Sequence, residues 1–181
     1  RIRQGHGIFG ISMKIVDEDG RELPWDGTAT GELKVRGPWV CKGYFRMDDS
    51  ASHDADGWFA TGDVAAIHPN GFLQITDRSK DVIKSGGEWI SSIDLEGIAV
   101  AHPAVAMAAA IGQPDAYAGE LPMAYVAARP GTSPAPEELV AHCRERLAER
   151  AAVPVRIEVL PSLPVTAVGK TFKPALRWRA I

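Results

Sequence analysis

Two-residue alternation of apolar and polar side chains, closed by turn signals, dominates the first eighty residues. In GISMKIV (10–16), Ile11, Met13 and Ile15 alternate with Ser12 and Lys14. In GELKVRG (31–37), Leu33 and Val35 fall on one face and Glu32, Lys34 and Arg36 on the other. This is the period of a half-buried strand. DEDG (17–20) makes a turn after the first segment. HPNG (68–71) joins DVAAI to FLQI; Pro69 suits the second position of a tight turn, and Asn70-Gly71 accepts positive φ. The amino-terminal half is therefore expected to be built from antiparallel hairpins.

The second half mixes periods. Ser91 is an expected N-cap with Asp94 at the reciprocal capping position, for a helix that runs to about His102 and stops before Pro103. VAMAAAI (105–111) and MAYVAA (123–128) read as short apolar strands. PGTSPAP (130–136) is a loop leading into a helix with Leu139, Val140, Cys143 and Leu147 as its apolar stripe. RIEVL (156–160) reads as a last strand, followed by a loop and a short helix. The fold class is α+β, in two modules that meet near 78–84 in DRSKDVIKSGGEWI, with no Ser-, Gly- or Pro-rich linker.

Composition narrows the function. A net charge of −3 gives no electrostatic footprint for nucleic acid or an anionic membrane. No apolar run reaches the length of a membrane span, and residues 1–10 contain no signal-peptide core. Cys41 and Cys143 form neither a disulfide framework nor a zinc motif, and read as free thiols of a reducing compartment, the cytoplasm. The five histidines lack metal-ligand spacing, so no metal site is expected, and His102 reads as local and structural. The chain opens on Arg1, already in strand-and-turn rhythm, which raises the expectation of a piece of a longer protein.

Three segments carry chemistry. PVTAVGKTF (164–172) contains the Gly-Lys-Thr of a phosphate-binding P-loop. That motif needs a glycine where Pro164 stands, and a long helix after it; only ten residues follow Thr171. The P-loop reading fails on this spacing, and by itself Lys170 reads as a surface lysine in a Gly-containing turn. In TGD (61–63), Asp63 could accept from a ribose diol, or simply sit in a turn. DRSKDVIKSGGEW (77–89) sets Arg78, Lys80 and Lys84 against Asp77 and Asp81 before Gly86-Gly87, either a ligand approach or a charged hairpin on a solvated face.

Their order is more specific than any one of them. GELKVRGP, GYF, GWFATGD, GFLQITDRSKDVIKSGGEWIS, HPAV and LPVTAVGKTFKPALR follow one another over residues 5 to 178. This succession resembles the C-terminal third of the adenylate-forming, AMP-binding enzymes, and among them the acyl-CoA synthetases. KSGGEWIS is similar to bacterial medium-chain fatty acid–CoA ligases. The resemblance implies that residues 1–79 are the β-rich end of a large N-terminal domain and 80–181 a small, mobile, mixed α/β lid.

It also implies roles. The whole protein would activate a carboxylic, fatty acid with ATP and Mg2+, then pass the acyl group to CoA. Asp63, Arg78 and Lys170 would bind the ATP or AMP moiety, with Lys170 the catalytic residue delivered to the α-phosphate. Lys80 would be the hinge. Gly86, Gly87, Glu88 and Trp89 would line the CoA path, with Trp89 either walling it or packing in the core. A lysine acyltransferase acting on Lys170 is a further partner of some relatives. The sequence departs from the pattern at Ala118, where relatives often carry an aromatic or basic residue, and at Val165, where a lysine is usual. The upstream phosphate loop and acyl pocket would lie outside this chain, so no ligand is expected on it and it should be inert alone. A ligase loading a carrier protein, and a non-catalytic module keeping the fold, are the competing readings.

Overall fold

The computed structural model describes residues 4–43, 53–147 and 156–179. The chain divides into two compact units, Arg1–Lys80 and Asp81–Ile181. Tyr44 and Phe45 of the GYF motif lie outside the described residues.

The first unit is a four-stranded antiparallel sheet in chain order: β1 (Ser12–Val16), β2 (Gly31–Arg36), β3 (Phe59–Ile67) and β4 (Leu73–Arg78). Alternation sets its core. Ile15, Leu33, Ala65 and Ile67 pack together, with Met13, Leu23, Val35 and Leu73 against them. The turn after β1 is held by Asp17, whose Oδ1 accepts from the N–H groups of Asp19 and Arg21. The 68–71 turn closes as its residues require. His68 N donates to Phe72 O, Gly71 N donates to His68 O, and Gly71 takes φ +81°.

The second unit is a five-stranded sheet flanked by helices on both faces. Its strands are β5 (Ile83–Ser85), β6 (Glu88–Ile90), β7 (Val105–Asp115), β8 (Gly119–Ala128) and β9 (Arg156–Leu160). The order is β6-β5-β8-β7, and β9 pairs parallel with β8. The helices are α1 (Ser92–Val100), α2 (Pro136–Leu147) and α3 (Lys173–Arg179). Ser91 caps α1 by accepting from Asp94 N at 3.2 Å. Ala110, Ala124 and Val126 pack with Leu95 and Ala99 of α1 and with Leu139 and Cys143 of α2. Ala109, Ile111, Met123 and Tyr125 pack with Leu163 and with Leu176 of α3. Both faces are covered, which is why VAMAAAI and MAYVAA read as unbroken apolar runs. Burial among these side chains also pushes the Cys143 thiol pKa up.

β7 and β8 run further than those apolar runs. They pair on through Gln113↔Leu121 to Asp115↔Gly119, a polar, proline-containing stretch with no alternation to reveal it. His102 is structural as expected. Its Nδ1 accepts from Ala104 N at 3.3 Å, which leaves Nε2 to carry the proton toward Glu138 Oε1, 3.4 Å away.

Candidate functional site

The first unit brings Asp63 and Arg78 together. They are register partners on β3 and β4, and Arg78 Nε lies 3.0 Å from Asp63 Oδ1. The approach to Asp63 is set by its two predecessors. Gly62 takes φ +74° and accepts from Ser79 N at 2.9 Å. The Thr61 hydroxyl donates to Leu33 O at 3.0 Å and accepts from Asp63 N at 3.2 Å. Thr61 is therefore the support that the reading of TGD overlooked. Asp77, 2% exposed, turns Oδ1 to the N–H of Arg78 at 2.7 Å, so the guanidinium stem is held from the backbone side as well. The pair leaves the second carboxylate oxygen of Asp63 and most of the exposed guanidinium available to a polar ligand.

Lys80 ends this unit as an exposed turn residue, and Asp81 opens the next. Asp81 Oδ1 accepts from Arg177 Nη2 of α3 at 2.8 Å. The backbone after Lys80 is thus fastened to the second unit within one residue.

Gly86 and Gly87 form a two-residue hairpin between β5 and β6, with φ of +59° and +83°. This is the left-handed pair that a type I′ turn demands. A Cβ at either position would meet nothing within 4 Å, so backbone conformation alone explains both glycines. Gly86 N donates to Ala118 O at 2.9 Å, and Lys84 N donates to Glu120 Oε2, also at 2.9 Å. Ala118 thus contributes its backbone. Glu120 is a second residue the sequence reading passed over; a side chain at Gly112 would collide with its carboxylate. Asp115 shapes the neighbouring loop by accepting from Ala118 N and Tyr117 N, and those N–H groups hold its carboxyl below the usual range. Trp89 is half-buried and outside the main apolar cluster; Lys84 Nζ stands 4.8 Å from its ring centroid. Glu88 is exposed at the end of the turn.

Lys170 sits on a hairpin of its own. Val165 bridges Thr171, Thr166 N donates to Lys170 O at 2.7 Å, and Gly169 N donates to Thr166 O at 2.9 Å. Gly169 takes φ +78°, the left-handed residue that ends a three-residue loop of this kind. The Thr166 hydroxyl also accepts from Lys170 N. Lys170 itself is exposed, and no carboxylate among the described residues stands within ion-pair distance of its ammonium. Asp63 and Arg78 belong to one unit, Lys170 and the Gly86-Gly87 hairpin to the other.

Among the described residues no group of three or more His, Cys, Asp or Glu could hold a metal ion. No described helix is long and apolar enough to cross a membrane.

Residues 94–170 match the AMP-binding enzyme C-terminal domain. The chain is 48% identical to the 3-methylmercaptopropionyl-CoA ligase of Ruegeria lacuscaerulensis over 177 residues, 98% of this chain and 32% of that protein. It is 41% identical over the same length to the medium-chain-fatty-acid–CoA ligase of Ectopseudomonas oleovorans, again with 98% and 32% covered. The chain thus spans about a third of the length of these curated relatives. Among solved structures it resembles ATP-bound MatB from Rhodopseudomonas palustris, with TM-score 0.80 and 31% identity over 97% of this chain and 35% of that one. It also resembles the o-succinylbenzoate CoA synthetase of Bacillus subtilis in complex with its acyl-adenylate intermediate, with TM-score 0.77 and 35% identity over 94% and 34%.

Proposed function

The chain belongs to the AMP-binding acyl-CoA ligases, and from that premise we propose that the whole protein joins a carboxylic acid to CoA at the expense of ATP. The acid's carboxylate oxygen attacks the α-phosphorus and pyrophosphate leaves, giving an acyl-adenylate. The CoA thiol sulfur then attacks the acyl carbon, and AMP leaves as the carbon–oxygen bond breaks. The location that fits this chemistry is the cytoplasm, where ATP and CoA are available.

Each site residue has a part for which its geometry suits it. Asp63 accepts from the ribose hydroxyls with the oxygen not engaged by Arg78, and Arg78 keeps that carboxylate oriented and faces the nucleotide. Lys170 brings its ammonium to the point where carboxylate and α-phosphate approach, and offsets the charge that gathers there. Lys80 absorbs the backbone rotation that exchanges one half-reaction for the other. The hairpin at Gly86, Gly87, Glu88 and Trp89 flanks the path of the CoA arm, where Trp89 offers an apolar wall beside the Lys84 cation. An exposed Lys170 is also within reach of a lysine acyltransferase, and its acylation would remove the charge that adenylation uses.

The observation that carries this reading is the exposed Lys170, on a hydrogen-bonded hairpin and without an ion-pair partner among the described residues. For the acid we propose a short to medium chain with an apolar tail, thioether acids included, because relatives named for both kinds match this chain over the same length. The test is acid-dependent ATP–pyrophosphate exchange by the full-length protein over such a series, followed by release of AMP with CoA or a carrier protein as acceptor. Exchange with these acids and turnover with CoA support the proposal. Turnover with carrier alone would move it to the carrier-loading ligases, and absence of exchange with every acid would leave a binding module.

A further inference from the structure

Lys173 follows Lys170 by three residues and opens α3. Unlike Lys170 it is largely enclosed, its side chain 14% exposed. Its ammonium makes two short contacts with α1, to Ser92 Oγ at 2.8 Å and to Glu96 Oε1 at 2.7 Å. Ser92 and Glu96 are one helical turn apart, so they present one face to the cation. Glu96 Oε1 also accepts from Ala110 N of β7 at 2.9 Å. β7 is the outer strand at its end of the sheet. The carboxylate therefore joins three elements: the edge of the sheet, α1, and the start of α3.

The Lys170 hairpin has little else to fix it. Val165 and residues 167–170 are exposed, and its internal hydrogen bonds hold its shape but not its place. Place comes from its two stems. One is Leu163, buried in the apolar cluster beneath α3. The other is Lys173. An apolar contact is tolerant of small shifts, whereas a charged group with two directional acceptors is not.

We propose that Lys173 is a positioning residue for adenylation, holding the hairpin where Lys170 can reach the reacting phosphate. The inference rests on the reading of Lys170 given above. A displacement on the order of an ångström at a reacting group can cost up to about a hundredfold in rate.

The experiment is a double-mutant cycle in the full-length enzyme, using Lys173→Met, Lys170→Ala and both together. Each is followed by ATP–pyrophosphate exchange and, separately, by thioester formation from a supplied acyl-adenylate. Lys173→Met is expected to slow adenylation roughly tenfold to a hundredfold and to leave thioester formation within about twofold. In the Lys170→Ala background it should add nothing, because it acts only through that lysine. Equal slowing of both half-reactions, or the same slowing in the Lys170→Ala background, would make Lys173 a structural prop and overturn the proposal. If Lys170→Ala alone leaves adenylation intact, the reading of Lys170 falls first. Should Lys173→Met not fold, Glu96→Gln keeps the acceptor for Ala110 N and removes only the charge facing Lys173, and it is read by the same criteria.

Discussion

Arg78 Nε lies 3.0 Å from Asp63 Oδ1 across the β3–β4 ladder, with the guanidinium 61% exposed and the carboxylate 18%. A solvent-screened pair of this kind contributes about 0.2–1 kcal/mol to stability. A hydrogen bond from a ligand to the ionised carboxylate is worth more, about 1.5–3 kcal/mol. Asp63→Ala in the full-length enzyme should therefore barely change its melting temperature. It should lower kcat/KM for ATP in the exchange reaction by roughly tenfold to over a hundredfold. A large loss of stability with unchanged ATP kinetics would assign Asp63 to the fold alone.

Lys80 and Asp81 lie on either side of the division between the two units, and Asp81 is fastened to Arg177. Under the proposed hinge, a rotation would be confined to the backbone at and before Lys80. Proline there fixes φ near −65°. Lys80→Pro is expected to trap one pose and so to impair one half-reaction while sparing the other. The two are separated by pyrophosphate exchange and by thioester formation from supplied acyl-adenylate. Equal rates to wild type in both would place the hinge elsewhere.

Lys170 is exposed and makes no ion pair among the described residues, so its removal costs the fold little. Loss of a preorganised charge contact in a transition state costs about 3–4 kcal/mol, or roughly a hundredfold to a thousandfold in rate. Lys170→Ala should show that loss in adenylation and a near-normal second half-reaction, at an unchanged melting temperature. A variant slowed equally in both would return Lys170 to a structural role.

Three aspartates have their carboxyls held below the usual range, chiefly by backbone N–H groups. Ala29 N and then Thr28 N lower the pKa of Asp26; Trp58 N first, then Lys34, lower that of Asp54; Ala118 N and then Tyr117 N lower that of Asp115. A carboxyl whose folded value lies below its unfolded value stabilises fully above the unfolded value, about 4, and loses that stabilisation as pH falls through the folded value. The difference in urea midpoint between wild type and Asp115→Asn should accordingly shrink as pH is lowered from about 6 to about 3. A constant difference would mean that Asp115 acts by shape and not by charge.

The hairpins of the first unit were legible because Met13 and Ile15, and Leu33 and Val35, recur at every second position with Lys14 and Lys34 between them, although Val16, Val64 and Ala66 are buried as well. The Ser91 cap and the Leu139–Cys143 stripe were legible for similar local reasons. The partners of the site residues were not. Asp63 and Arg78 each matched a motif, yet nothing in the fifteen-residue spacing announces that they are cross-strand partners, since a bulge at Val64–Ala65 sets the register. Glu120 and Glu96 act on backbone N–H groups 36 and 14 residues away. Lys173 looks like one more cation in a basic terminal helix, and only its enclosure separates it from Arg177 and Arg179.

The seven residues of α3 are too few to be helical alone. The helix is tied down by three cations, each to a different segment: Lys173 to Glu96 of α1, Arg177 to Asp81 in the turn before β5, and Arg179 to Glu158 of β9. Each carboxylate precedes its cation in the chain, by between 21 and 96 residues. During synthesis the acidic seats are therefore made first and stand waiting while the cations are still to be translated. The Lys170 hairpin leaves the ribosome before the helix that seats it. A chain broken before Lys173 would carry the Lys170 hairpin on its Leu163 stem alone, so the hairpin gains its second stem only when translation has passed the first of the three cations.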